Sequence, residues 1–168
     1  MATLRAQFQD ASPRTRRMVE WMILALVIVV LVLVFVRQMR VVQGQAELSS
    51  IKTTLGALRT ALIIDHLRKS AASQDTSVAS AQHNPFELLQ GYPSNYFGDM
   101  TPQQTEVAPS GGWVFDPLCV CVGYLPIWAE WFDSPSGDVM AWYRVTGTAG
   151  SLQLAAKEQY RWQGQLID

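Results

Sequence analysis

Trp21-Met22-Ile23-Leu24-Ala25-Leu26-Val27-Ile28-Val29-Val30-Leu31-Val32-Leu33-Val34-Phe35-Val36 runs from Glu20 to Arg37 without a charge, an amide or a hydroxyl. As helix this stretch spans roughly 24 Å, somewhat less than the ~30 Å hydrocarbon core of a bilayer. Met18 and Val19 extend it, and Glu20 and Arg37 stand where polar side-chain ends reach the interface. Trp21 and Phe35 suit the two interfacial belts. A soluble core helix does not explain the run, because a domain this small has no site for a helix apolar on every face. A cleaved secretory signal also has a basic stretch before an apolar one. This run is longer than a usual signal core, however, and Arg37-Gln38-Met39-Arg40 follows it in place of a small-residue cleavage pattern. The stretch therefore predicts a retained transmembrane helix over 18–37, with the lipid bilayer as its partner.

Upstream, residues 1–17 read as a basic cytoplasmic tail. Arg5, Arg14, Arg16 and Arg17 precede the run with only Asp10 against them before Glu20. The excess of cations places the N-terminus in the cytoplasm and the bulk of the chain outside. Charge is also unevenly divided downstream. Residues 1–70 hold 10 Lys/Arg and 4 Asp/Glu, whereas residues 84–168 hold 3 and 9. An acidic distal part argues against nucleic-acid binding.

Downstream of the anchor, residues 38–70 keep helical character. Leu48, Ile51, Leu55, Leu58 and Leu62 are spaced 3, 4, 3 and 4 residues apart, which puts them on one narrow face of an amphipathic helix. About three heptads make a weak free-standing coiled coil, so docking of this stripe on the chain's own distal domain is the expected use. Residues 71–83 are small and polar and read as a linker. At Asn84-Pro85-Phe86-Glu87 the pattern of an Asn cap, a first-turn proline and an acid predicts a short helix through Leu89, ending near Gly91.

Strand signals then take over. Trp113–Phe115, Cys119–Leu125, Val139–Thr146 and Leu152–Trp162 are β-branched or aromatic runs separated by Gly and Pro. They predict an antiparallel sheet of about four strands covered by the amphipathic helix, so the fold class is α+β. This 84–168 domain holds five of the six Trp and all five Tyr. Core packing is their expected role, because so small a sheet needs large side chains to bury enough area.

No catalytic constellation emerges. Cys119 and Cys121, two apart on one strand, would have Cα atoms roughly 6.5–7 Å apart, which predicts two small buried side chains and no mutual bridge. His66 and His83 precede the sheet domain, so no metal set forms around the cysteines. Asp133 and Asp138 flank Ser134-Pro135-Ser136-Gly137, where turn chemistry accounts for them better than a calcium loop does. His66 reads as a surface residue. No cofactor, metal or small-molecule substrate is indicated.

The order of parts resembles a type IV pilin or type II secretion pseudopilin. The likeness rests on the basic leader, the apolar helix with an acid near its start, the amphipathic extension and the small sheet. It also rests on Asn84-Pro85-Phe86-Glu87-Leu88-Leu89, Pro93-Ser94-Asn95-Tyr96, Gly111-Gly112-Trp113-Val114-Phe115-Asp116-Pro117 and the closing Gln159-Tyr160-Arg161-Trp162. The resemblance implies a structural accessory subunit, not an enzyme, in a bacterial inner membrane, with a periplasmic distal domain. Its partners would be other pilin-like or secretion-system subunits. It also implies that Glu20 pairs with the N-terminal amine of a neighbouring subunit, beside the simpler reading of a helix-start acid favoured by the dipole. The chain departs from the family in two places: the helix-disrupting proline that many pilins carry midway is missing, with Arg37 in that neighbourhood, and the leader lacks its glycine. The family's leader peptidase needs a small residue, usually Gly, before the mature end, and no Gly precedes Glu20. The departure in the leader implies an uncleaved, membrane-retained subunit. Glu20, Leu48, Ile51, Leu55, Leu58 and Leu62 are the candidate subunit contacts. A different class of function, a bitopic envelope scaffold or sensor dimerising through this stripe and binding a ligand on its sheet, predicts homodimer contacts along Leu48, Leu55 and Leu62.

Overall fold

A computed structural model describes residues 13–74, 83–101, 108–148 and 151–167. Helix α1 runs unbroken from Pro13 to Ala71, with Arg68 and Lys69 in its last turn, where cations complement the exposed carbonyls. It begins with Pro13, a residue suited to a first turn. Residues 13–17 are therefore helical and not part of a loose tail, while residues 1–12 and most of the 71–83 linker lie outside the described residues.

The chain divides into two compact units, Met1–Gln43 and Gly44–Asp168. In the first, the apolar side chains from Met18 to Val36 are exposed on all sides of the helix. The helix near the N-terminus is long and apolar enough to cross a membrane, with none of its most apolar window buried.

The second unit contains the amphipathic half of α1, a 3-10 turn at Pro85–Leu88 and eight strands. These are β1 (Tyr96–Asp99), β2 (Gly112–Asp116), β3 (Cys121–Leu125), β4 (Phe132–Asp133), β5 (Ala141–Thr148), β6 (Ser151–Ala156), β7 (Arg161–Trp162) and β8 (Gln165–Leu166). The main sheet has the order β1-β2-β3-β5-β6, and β4-β7-β8 form a small second sheet. The α+β class stands, with two corrections. β1 is parallel to β2, so the main sheet is mixed, not purely antiparallel. Residues 100–111 separate the two strands, about the length a parallel neighbour needs for its return. The last aromatic run is also divided: β6 stops at Ala156, and Arg161-Trp162 joins the second sheet.

The stripe on α1 decides the packing. Leu48, Ile51, Leu55, Leu58 and Leu62 lie in one buried cluster with Trp113, Phe115, Val122, Tyr124, Tyr143, Val145, Leu152 and Leu154. Strand alternation sends Val114, Cys121 and Trp142 to a second, smaller cluster with Met140 on the other face. All five residues of β2 are consequently buried.

Two local details fix these elements in place. Gly44 leaves room for the Trp131 ring, and a Cβ there would collide with it. At the 3-10 turn, Asn84 Oδ1 accepts from the Phe86 N–H at 3.0 Å, the cap that the sequence predicts. Asn84 Nδ2 donates to the Tyr96 hydroxyl at 2.6 Å, tying this turn to β1.

Candidate functional site

Of the six candidate subunit contacts, five are spent inside the chain. Leu48, Ile51, Leu55, Leu58 and Leu62 are between 0% and 5% exposed. Side chains this deeply buried against their own sheet offer no surface to a second subunit, so these positions are core and not contacts. Glu20 alone is on the surface. It pairs with Arg16 one turn earlier on the same helix, at 3.5 Å, with both side chains well exposed. Such an exposed i,i+4 pair is a weak and exchangeable contact.

The stripe extends further at both ends than its apolar residues reveal. Counting four back from Leu48 reaches Gly44, and counting four on from Leu62 reaches His66. Both are buried. His66 is thus not a surface histidine, and its Nδ1 has no hydrogen-bond partner among the described residues. The spacing carries this signal, but neither glycine nor histidine stands out in a search for apolar residues.

Glu47 is the functional-looking residue that the sequence leaves unmarked. It is 7% exposed, and its Oε1 accepts from the Tyr124 hydroxyl at 2.9 Å and from the Ile127 N–H at 2.7 Å. Oε2 has no partner among the described residues. One carboxylate therefore holds α1 to the end of β3 and to the segment after it. Burial, with the Glu47 charge and hydrogen bond adding to it, pushes the Tyr124 phenol above its ordinary range.

The distal turn at Ser134–Gly137 is also organised by a carboxylate, but by neither Asp133 nor Asp138. Glu158 Oε2 accepts from the Ser134 hydroxyl at 3.1 Å and the Ser136 N–H at 3.0 Å. Hydrogen bonding from Ser136 is the main reason its carboxyl lies below the usual range. Among the described residues no group of three His, Cys, Asp or Glu side chains could hold a metal ion.

Cys119 and Cys121 overturn the expectation of free thiols: they form a disulfide. The strand begins only at Cys121, and Cys119 belongs to the preceding turn. Val120 takes φ +54°, which brings the two Cα atoms to 5.2 Å. That separation falls well within bridging range, whereas a fully extended segment would have stood at its limit.

The remaining surface of interest is the free edge of β6. An open groove of about 650 Å3 runs beside it, bordered by Arg59 and Ile63 of α1. Arg59 Nε donates to the Leu154 carbonyl at 3.2 Å. The groove is open, and its lining combines Ile63 and the aliphatic residues of β6 with the charged side chains of Arg59, Lys157 and Glu158. No family model matches this sequence, and neither curated proteins nor solved structures give a match.

Proposed function

We propose that this chain is a membrane-anchored, pseudopilin-like accessory subunit of a type IV pilus or type II secretion assembly, acting through protein contacts and not through turnover. The observation that supports this reading most is the division of α1. Its first half is apolar and exposed on every side, as a lipid-facing helix must be, and its second half buries one stripe against a small aromatic-rich sheet. Lipid would cover residues 18–37 in a bacterial inner membrane, with the Gly44–Asp168 unit on the periplasmic side. Glu20 and the exposed apolar surface of the first half are then the parts available to neighbouring transmembrane helices.

The alternative of a scaffold dimerising through Leu48, Leu55 and Leu62 needs a stripe that is free, and burial of those residues disfavours it. Gentle detergent extraction of the full chain from its native membrane, followed by affinity purification, tests the proposal. Recovery of pilus or secretion subunits in fixed proportion supports it. A solitary monomer, with those subunits present in the extract but not retained, contradicts it.

A further inference from the structure

The two edges of the main sheet differ. β1 is four residues long, holds Gly98 at φ +88° and shifts register against β2. Short, irregular edges of this kind discourage further strand pairing. β6, at the other edge, is the six-residue Ser-Leu-Gln-Leu-Ala-Ala segment and pairs with β5 without a break from Ser151 to Ala156. It contains no proline, no charge and no bulge, which are the usual protections of an edge.

The direction of its backbone groups follows from two hydrogen bonds. The Lys157 N–H points inward to the Trp142 carbonyl at 2.8 Å, whereas the Leu154 carbonyl points outward to Arg59. Alternate residues of an antiparallel strand direct both N–H and C=O to the same side. Leu152, Leu154 and Ala156 therefore present their backbone groups to the outer edge, where a further strand would bind.

The charges around this edge select the occupant. Arg59 and Lys157 both border the groove, and neither makes an ion pair among the described residues. Glu158, the one acid there, is engaged by Ser134 and Ser136. A second copy pairing symmetrically about Leu154 would bring two Arg59 side chains together, and facing like charges are unfavourable. We propose that β6 accepts an extended acidic segment of a partner polypeptide as a sixth strand of the main sheet. The partner's N–H groups take over the Leu154 carbonyl, and the released Arg59 guanidinium, together with Lys157, meets the partner's carboxylates. This inference goes beyond the membrane-anchored reading and does not depend on it, since every residue used belongs to the Gly44–Asp168 unit.

Hydrogen exchange read by mass spectrometry on the detergent-solubilised full chain tests it, with two probes: a capped peptide alternating Glu and Val, and its Lys–Val counterpart. The Glu–Val peptide is expected to slow exchange across residues 151–157 and to bind about tenfold more tightly than the Lys–Val peptide. Arg59→Glu is expected to remove or invert that preference. Ala156→Pro removes an outward donor without touching the β5 ladder and is expected to abolish the slowing while the thermal transition is retained. Slowing by neither peptide, or equally by both, overturns the proposal. So does slowing without peptide that grows with protein concentration, because the occupant would then be a second copy. If Ala156→Pro fails to fold, the charge reversal at Arg59 still decides the matter.

Discussion

At the scale of single residues, two helical glycines make opposite predictions. Gly56 has open space around the position a Cβ would take, whereas a Cβ on Gly44 meets the Trp131 ring. Alanine at Gly56 should stabilise the protein by about 0.5–1 kcal/mol through reduced backbone entropy of the unfolded chain. Alanine at Gly44 gains the same term but must displace an indole, and a net destabilisation of about 1–3 kcal/mol is expected. Thermal or urea unfolding of the two variants side by side checks this. The buried phenols make a prediction in pH. Burial raises the phenols of Tyr124 and Tyr160, and it raises Tyr96 to about 12. In the unfolded chain these phenols titrate near their ordinary value of about 10, so above that pH the unfolded state has released protons that the folded state still holds. Stability present below that pH is lost as pH rises through the folded values. The slope is up to about 1.4 kcal/mol per pH unit for each phenol. Tyr124→Phe should flatten this alkaline loss, and unfolding curves at successive alkaline pH values measure it. Glu47→Ala should cost about 1–3 kcal/mol, because it strands the Tyr124 hydroxyl and the Ile127 N–H without an acceptor.

At the scale of elements, the seam of α1 separates core from surface along one helix. Leu55 is fully buried and Leu67 is 61% exposed. Leu55→Ala should destabilise by about 2–5 kcal/mol, whereas Leu67→Ala should fall within about 0.5 kcal/mol of the parent in the same denaturation assay. The seam was legible because the spacing of five apolar residues is a helical signal that tertiary contacts reinforce. The cap at Asn84 was legible for a related reason, since it depends on residues next to each other in the chain. Pairing between strands was not. The parallel alignment of Tyr96 with Trp113 and the separation of Arg161-Trp162 from β6 depend on long-range contacts that no local pattern encodes. The bridge between Cys119 and Cys121 escaped the sequence because the strand rule assumed extended backbone, and Val120 at φ +54° breaks it. Glu47 escaped because nothing local distinguishes a buried acid from the solvated ones around it.

At the scale of the whole molecule, one helix carries two kinds of surface: along 18–37 it is apolar, exposed and a candidate membrane span, and from Leu48 to Leu62 it docks on the chain's own aromatic sheet. That arrangement leaves the stripe unavailable for dimerisation. Among the described residues, the surfaces proposed for partners are the exposed apolar stretch of α1 and the β6 edge with Arg59 and Lys157. The most direct measurement is the reactivity of Val30→Cys, Leu55→Cys and Gly56→Cys toward a membrane-impermeant maleimide, each in the full chain in membranes whose two faces are both open to the reagent. Fast labelling is predicted at position 56 alone, with position 30 shielded until the bilayer is dissolved and position 55 shielded until the protein is unfolded. Prompt labelling at position 30 would contradict the membrane anchor. Labelling at position 55 as fast as at position 56, or its oxidation into a disulfide-linked dimer, would contradict the docking of the helix on its own sheet.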